Sequence, residues 1–313
     1  MTHSLREAWG HALVEMGIED PRLIVIDPDV ANSSRADIFA DALPERFFQV
    51  GIAEQNAVAV AAGMASMDFV PWLSSFSPFL SHRAIDVVRI MVAQSKTNVK
   101  LAGTYSGLLT GVTGRTHQDV QDIAILRAMP DMALLSPADP VELRAAMRWA
   151  HHFQGPVYFR IARDAERKIF EEPYSFDPKA VITLAEGSAL TIVSTGVQTA
   201  RCMGAVEILR SQGISPSLVH VPTLSPFPEE RLLDAIGETP MIFSVEDHSV
   251  IGGLGGAIAE ALSRHPKHPA LVRIGLNDVW TESGSNDFLL EKYGLSDRAI
   301  AERIINDLST LTS

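Results

Sequence analysis

Cysteine is almost absent: the 313 residues hold one, Cys202. A single thiol closes no internal disulfide, and that usage suits a reducing cytoplasm. Long apolar runs are missing too. The longest weakly polar stretch, Val58 to Met67, falls well short of the ~20 residues of a bilayer-spanning helix. Met1 to Asp20 has no apolar core of the kind a secretory signal carries. The expectation is a cytoplasmic chain with no membrane partner. Excess positive charge is also lacking, with Lys and Arg totalling 26 against 38 Asp and Glu, a net −12. Such a surface repels phosphate backbones and excludes general nucleic-acid binding, yet a local arginine cluster can still hold a small anion. No short repeat and no heptad run occurs. Around Glu246-Asp247-His248 no second His or Cys pair sits at metal-ligand spacing.

What is present is a core-forming composition, 46% hydrophobic and 20% charged. The length exceeds one domain of about 100–150 residues, so two domains are expected. Apolar, β-rich runs alternate with helical patterns. The expected strands are Leu23–Ile26, Phe47–Val50, Val70–Ser74, Val99–Gly103, Met132–Leu135 and Val157–Ile161. Helical patterns fall between them at Glu54–Ser66, Phe79–Ala93, Val120–Ala128 and Pro140–His151. Near-continuous apolar strands suit a parallel sheet covered on both faces. After a charged, proline-bearing break the alternation restarts at Leu190 and runs to Ile274. The fold class is therefore α/β, with two parallel-sheet domains: 1–165, a linker over 166–186, and 187–313.

Several segments have residue types suited to chemistry. Glu54, in Gly51-Ile52-Ala53-Glu54-Gln55-Asn56, opens a helix just after a strand. A carboxylate there is favoured by the helix dipole; partly desolvated, it can instead hold a proton for a ligand nitrogen. The chain alone leaves both open. Phe76 and Phe79, three apart at a strand-to-helix junction, are either core or a stacking shelf for a planar heterocycle. Glycines crowd the segment from Gly103 to Gly114, a loop at the carboxyl end of a strand, where open α/β sheets bind ligands. His117 follows as a candidate proton donor or hydrogen-bond partner. Arg6, Arg115 and Arg163 each lie near an element end; converged, they would match a phosphate through bidentate bonds. The glycines after Glu246-Asp247-His248 have the wrong spacing for a dinucleotide fingerprint and suit tight turning and close backbone packing.

Taken together, these segments resemble the carboxyl-terminal portion of the transketolase family of thiamine-diphosphate enzymes, as found in two-subunit transketolases. The strongest blocks are Asp41 through Asn56, Thr116-His117-Gln118, and Glu246-Asp247-His248 with Ile251 to Gly255. Glu282-Ser283-Gly284 and Leu290 to Leu295 resemble the family's tail. The resemblance implies that Glu54 binds the pyrimidine nitrogen para to the amino group, so that the cofactor's own imine makes the reactive carbanion. It implies that Phe76 and Phe79 surround the aminopyrimidine, that His117 acts near the reacting carbons, and that Arg6, Ser33 and Arg163 hold a substrate phosphate. The resemblance also puts positions 105 and 113 at the substrate, where the family usually has His and Asp; here they are Tyr105 and Thr113, which leaves a branched, deoxy or otherwise modified ketose open beside the ordinary pentose-phosphate donors.

No Gly-Asp-Gly, the family's diphosphate and Mg²⁺ segment, occurs in the chain. The resemblance therefore implies a separate N-terminal subunit that holds the thiamine diphosphate's diphosphate and the Mg²⁺, an interface active site in an α2β2-type assembly, and no activity for this chain alone. The expected reaction transfers a two-carbon ketol unit from a ketose phosphate to an aldose. The rival readings are the β subunit of a 2-oxoacid dehydrogenase, against which Thr116-His117-Gln118 and the arginines argue, and a non-catalytic partner subunit, against which the retained Glu54 argues.

Overall fold

The computed structural model describes residues 3–311. In chain order the strands are β1 (His3–Ser4), β2 (Leu23–Asp27), β3 (Phe47–Gln49), β4 (Val70–Phe76), β5 (Lys100–Thr104), β6 (Ala133–Leu135), β7 (Val157–Ile161), β8 (Ala165–Glu166), β9 (Ile182–Ala185), β10 (Leu190–Ser194), β11 (Pro216–His220), β12 (Thr223–Ser225), β13 (Met241–Ser249) and β14 (Ala270–Leu276). The N-terminal sheet runs β12-β6-β7-β5-β4-β2-β3 and the C-terminal sheet β14-β13-β10-β11-β9. Strands β2, β4, β5 and β7 are buried along their whole length, as covering on both faces demands.

The sheets are parallel in their interiors, and each ends in one antiparallel edge. β9 pairs antiparallel with β11, so the segment read as a linker over 166–186 supplies a strand at its end. β12 leaves the C-terminal unit and pairs antiparallel with β6, so the two units share a sheet edge.

The helix Leu5–Glu19 was not expected from the sequence pattern. Its interior holds Gly10 and Gly17, which weaken helix propensity. The fold explains Gly10, since a Cβ there would meet the Arg35 carbonyl at 2.4 Å. Trp9 of this helix packs edge-on against Trp72 at 5.3 Å and Phe159 at 6.2 Å, anchoring it over one face of the N-terminal sheet. The expected helix Phe79–Ala93 is broken differently: a π-helical turn Phe79–Arg83, a short Ile85–Val87, then a second π segment Val88–Gln94. Ala84 N–H bonds to the Phe79 carbonyl at 2.9 Å, the five-residue spacing of a π turn, a feature that concentrates at functional sites. Two further helices, Asn286–Lys292 and Asp297–Leu311, complete the C-terminal unit.

The glycine run after β13 serves backbone packing, as its spacing suggests. Glu246 is fully buried and accepts the N–H groups of Leu254 at 2.6 Å and Gly255 at 2.9 Å, capping the helix Leu254–Leu262. A Cβ on Gly253 would collide with that carboxylate at 1.9 Å.

Candidate active site

The sequence candidates gather at one edge of the N-terminal sheet. Ser33 follows β2, Glu54 follows β3, Phe76 closes β4 with Phe79 beyond it, Tyr105, Thr113 and His117 follow β5, and Arg163 follows β7. All mark the carboxyl ends of parallel strands, where ligands of open α/β sheets bind. Arg6 joins them from the first turn of the helix Leu5–Glu19.

Glu54 begins its helix and is 1% exposed. Its carboxylate has a partner that sequence reasoning passed over. Arg83 Nη1 donates to Oε1 at 3.0 Å and to Oε2 at 2.9 Å, while the same guanidinium lies 4.2 Å from the Phe79 ring centroid. The spacing of Phe79 and Arg83, four apart, was the available signal. Phe76 and Phe79 are 5.5 Å apart and tilted. His117 meets both edge-on, at 5.3 and 5.6 Å, and Tyr105 stands 4.3 Å from Phe76. Partial burial draws the His117 pKa down. A buried carboxylate at the edge of an aromatic corner fits a planar, basic heterocycle.

The far end of this corner is cationic. Arg6 lies 5.2 Å and Arg163 5.5 Å from the Tyr105 ring centroid. Arg6 Nη1 also reaches the Tyr105 hydroxyl at 3.3 Å, and its Nε donates to the Arg163 carbonyl at 2.6 Å. Ser33 contributes its carbonyl, not its hydroxyl, to Arg6. Burial, with Arg163 and Arg35 adding to it, draws the Arg6 guanidinium below its ordinary value. Among the described residues the buried Nε groups of Arg35 and Arg163 have no hydrogen-bond partner, although Asp164 faces Arg163 Nε at 3.9 Å. Tyr105 holds φ at +59°, unusual for a bulky residue and common at functional sites. Thr113 is not drawn in: it is exposed, and its hydroxyl turns back to the Thr110 carbonyl at 2.9 Å, which Arg163 Nη1 also meets at 3.1 Å. Arg115 stays exposed on the same loop.

Behind the corner lies a buried polar network that joins the two units. Asp119 accepts Ser77 Oγ at 2.6 Å and Ser81 Oγ, and faces His82 at 3.5 Å. Burial would raise its pKa; these bonds outweigh it and hold the carboxyl at about 2. Next to it, Arg160 donates to Asp122 at 2.7 Å and to Asp247 at 3.1 Å, all three essentially buried. Burial pushes Asp122 up to about 7 against the pull of Arg160. Gln118 donates to the Glu282 carbonyl at 3.1 Å and accepts Thr281 Oγ1, tying the His117 loop to the C-terminal unit.

Two α/β units with a carboxylate, an aromatic corner and a cationic end define a cofactor-assisted enzyme built on paired α/β domains. The chain matches the family described as transketolase, pyrimidine binding domain, over residues 2–168, and that described as transketolase, C-terminal domain, over residues 179–300. It is 39% identical to a putative transketolase C-terminal section of Methanocaldococcus jannaschii, covering 97% of this chain and 96% of that one. It is 37% identical to a 6-deoxy-6-sulfo-D-fructose transketolase subunit of Clostridium sp. (strain MSTE9), over 95% and 92%. A solved structure of a split gene transketolase, an inactive β4 tetramer, superposes with a TM-score of 0.89 at 38% identity, covering 99% of both chains. The chain belongs to the transketolase family of thiamine-diphosphate enzymes, and it corresponds to the C-terminal section of a split transketolase. The 2-oxoacid dehydrogenase reading is correspondingly disfavoured.

Proposed function

We propose that this chain supplies the pyrimidine half of a thiamine-diphosphate site, and that a diphosphate-binding partner subunit holding Mg²⁺ completes it. Together they would transfer a two-carbon ketol unit from a ketose with an anionic tail to an aldose. One observation carries the reading: a series of contacts runs from Glu54 through the Arg83 guanidinium to Phe79, and on through Phe76 and Tyr105 to Arg6 and Arg163. A cofactor ring at one end and a charged sugar tail at the other would then flank His117.

When bound, thiamine diphosphate supplies the carbon nucleophile. The chain's own residues orient and protonate. Glu54 holds the ring nitrogen and its proton from a site with little water. Phe76 and Phe79 fix the ring plane. His117, bonded through Nδ1 to the Thr116 hydroxyl at 3.0 Å, is placed to exchange a proton with substrate oxygens. The Nε–H groups of Arg35 and Arg163 suit a tetrahedral anion such as phosphate or sulfonate, and a relative is named for a sulfo-sugar. Tyr105 and Thr113 replace the His and Asp usual in the family, which favours a modified ketose. Among the described residues no three His, Cys, Asp or Glu gather as metal ligands. The relative described as an inactive β4 tetramer supports self-association without catalysis; the α2β2 assembly with the partner is the arrangement we propose for the active complex.

Co-purification with a diphosphate-binding subunit, followed by two-carbon transfer assays, tests this. Turnover of an anionic ketose by the complex, and not by the chain alone, is the expected result. Turnover by the chain alone, or of pyruvate in place of the ketose, would overturn it.

A further inference from the structure

Arg83 fills the space between Phe79 and Glu54 that the proposed site would give to a pyrimidine, and it contacts the two groups that such a ring would meet. Its guanidinium is planar and cationic, and it lies at stacking distance, 4.2 Å, from the Phe79 centroid. From there Nη1 straddles both oxygens of Glu54. A protonated aminopyrimidine offers the same features: a flat π face, a positive N–H, and an edge directed at a carboxylate. A guanidinium and a heterocycle of similar thickness cannot both occupy one slab against Phe79. Arg83 is also free to leave. Its side chain is about half exposed, while its Glu54 partner is 1% exposed. It sits at the end of a π turn, the last residue before Ala84, so rotation about its own side-chain bonds carries the head into solvent without moving the backbone.

From this geometry we infer that Arg83 is a resident surrogate for the aminopyrimidine: it keeps the buried Glu54 paired and the aromatic seat filled, and it must swing out for the cofactor ring to enter. The inference rests on the proposed pyrimidine site and deepens it. Arg83 is a positioning residue, acting on the cofactor through Glu54 and Phe79. Its consequence is quantitative. If the seat is open in only about 1–10% of molecules, apparent affinity for the ring is lower than the intrinsic value by about ten- to a hundred-fold.

The test measures binding of the isolated pyrimidine, 4-amino-5-hydroxymethyl-2-methylpyrimidine, to the full chain by calorimetry. Wild type, Arg83→Met, Arg83→Lys and Glu54→Gln are compared, with folding checked by circular dichroism. The expected result is at least ten-fold tighter binding by R83M, with R83K between it and wild type, because a lysine head neither stacks flat nor straddles the carboxylate as well. In the assembled complex, thiamine diphosphate should associate faster with R83M in a stopped-flow measurement. Unchanged or weaker binding by R83M, with wild type binding well, would overturn the surrogate role and leave the pyrimidine site standing. Equal binding by E54Q and wild type would instead overturn the site itself. So would the absence of binding in every folded variant and of thiamine diphosphate binding by the complex.

Discussion

Replacing Arg160 by methionine should expose how the two units are locked together. Its guanidinium is 4% exposed and faces Asp122 and Asp247, at 0% and 2%. Burial alone would lower its pKa, but the two carboxylates more than offset that and raise it. Methionine keeps much of the volume and removes the charge. Breaking a buried ion pair from one side costs about 3–5 kcal/mol, because the partner is left uncompensated. The loss should depend on pH. Burial holds Asp122 and Glu246 at about 7, against about 4 for an unfolded carboxyl. The folded state thus binds more protons than the unfolded state between about pH 4 and 7, and these groups contribute stability below that window that fades as pH rises through it. Arg160 opposes the upward shift of both, so its removal extends the window to higher pH.

His248 moves the same way. Burial lowers it to about 4, and Arg160 contributes to that; without the guanidinium it takes a proton more easily. The variant should therefore lose about 4 kcal/mol at pH 8 but only about 2 kcal/mol at pH 5.5, where Asp122 carries its proton and mainly loses a hydrogen bond. Urea unfolding of wild type and R160M at both pH values measures the difference directly, because comparison at a fixed pH cancels the other titrating groups. Adding Asp122→Asn should recover part of the pH 8 loss. An equal loss at both pH values, a larger loss in acid, or a loss under about 1 kcal/mol would refute the buried-charge account.

The remaining predictions concern the site. Glu54→Gln in the reconstituted complex should lower kcat by about 10²–10⁴-fold with the thermal midpoint nearly unchanged; undiminished turnover would remove Glu54 from activation. Arg163→Met should raise KM for a ketose with an anionic tail by about ten-fold or more and leave the neutral-tailed ketose unaffected. Asp119→Asn should destabilise the chain by about 2 kcal/mol through lost charge-assisted bonds. It should also weaken cofactor binding, read as a raised KM for thiamine diphosphate, since the turn bearing Phe79 and Arg83 loses its anchor.

Legibility in the sequence followed the range of the interaction. The strand Val157–Ile161 matches its expected bounds, and the helices Glu54–Ala65 and Pro140–His152 fall within one residue of theirs, because a continuous apolar run or a clean helical stripe is a local signal. Phe76, Phe79 and His117, singled out from local patterns, lie against one another, and Glu54 joins them through Arg83. The helix Leu5–Glu19 was hidden by glycines whose reason is tertiary, the approach of Arg35 to Gly10. Strand β12 was unreadable because its partner, β6, lies some ninety residues away in the other unit. Arg160 was missed for the same cause, its carboxylates lying 38 and 87 residues away; Arg83, 29 residues from Glu54, left only its four-residue spacing from Phe79 as a signal. Thr113 shows the converse. Its alignment with a family position placed it near substrate, yet its hydroxyl is already bound to Thr110.

The π turn is where these long-range pairs meet. Its five residues face two ways. Phe79 and Arg83 address Glu54, while Ser81 and His82 address Asp119. Asp119 in turn belongs to a loop held from the C-terminal unit: Ser249 N–H donates to the Val120 carbonyl at 2.8 Å, and Gln118 bonds Thr281 and Glu282. The same loop carries His117 and Tyr105. Every candidate site residue lies before position 166, yet the loop and turn that aim four of them, His117, Tyr105, Phe79 and Arg83, are fixed by contacts with residues beyond 240. The C-terminal unit thus acts on the site from behind: it braces the far side of the aromatic corner with hydrogen bonds, while the Arg83 head stays about half exposed to solvent.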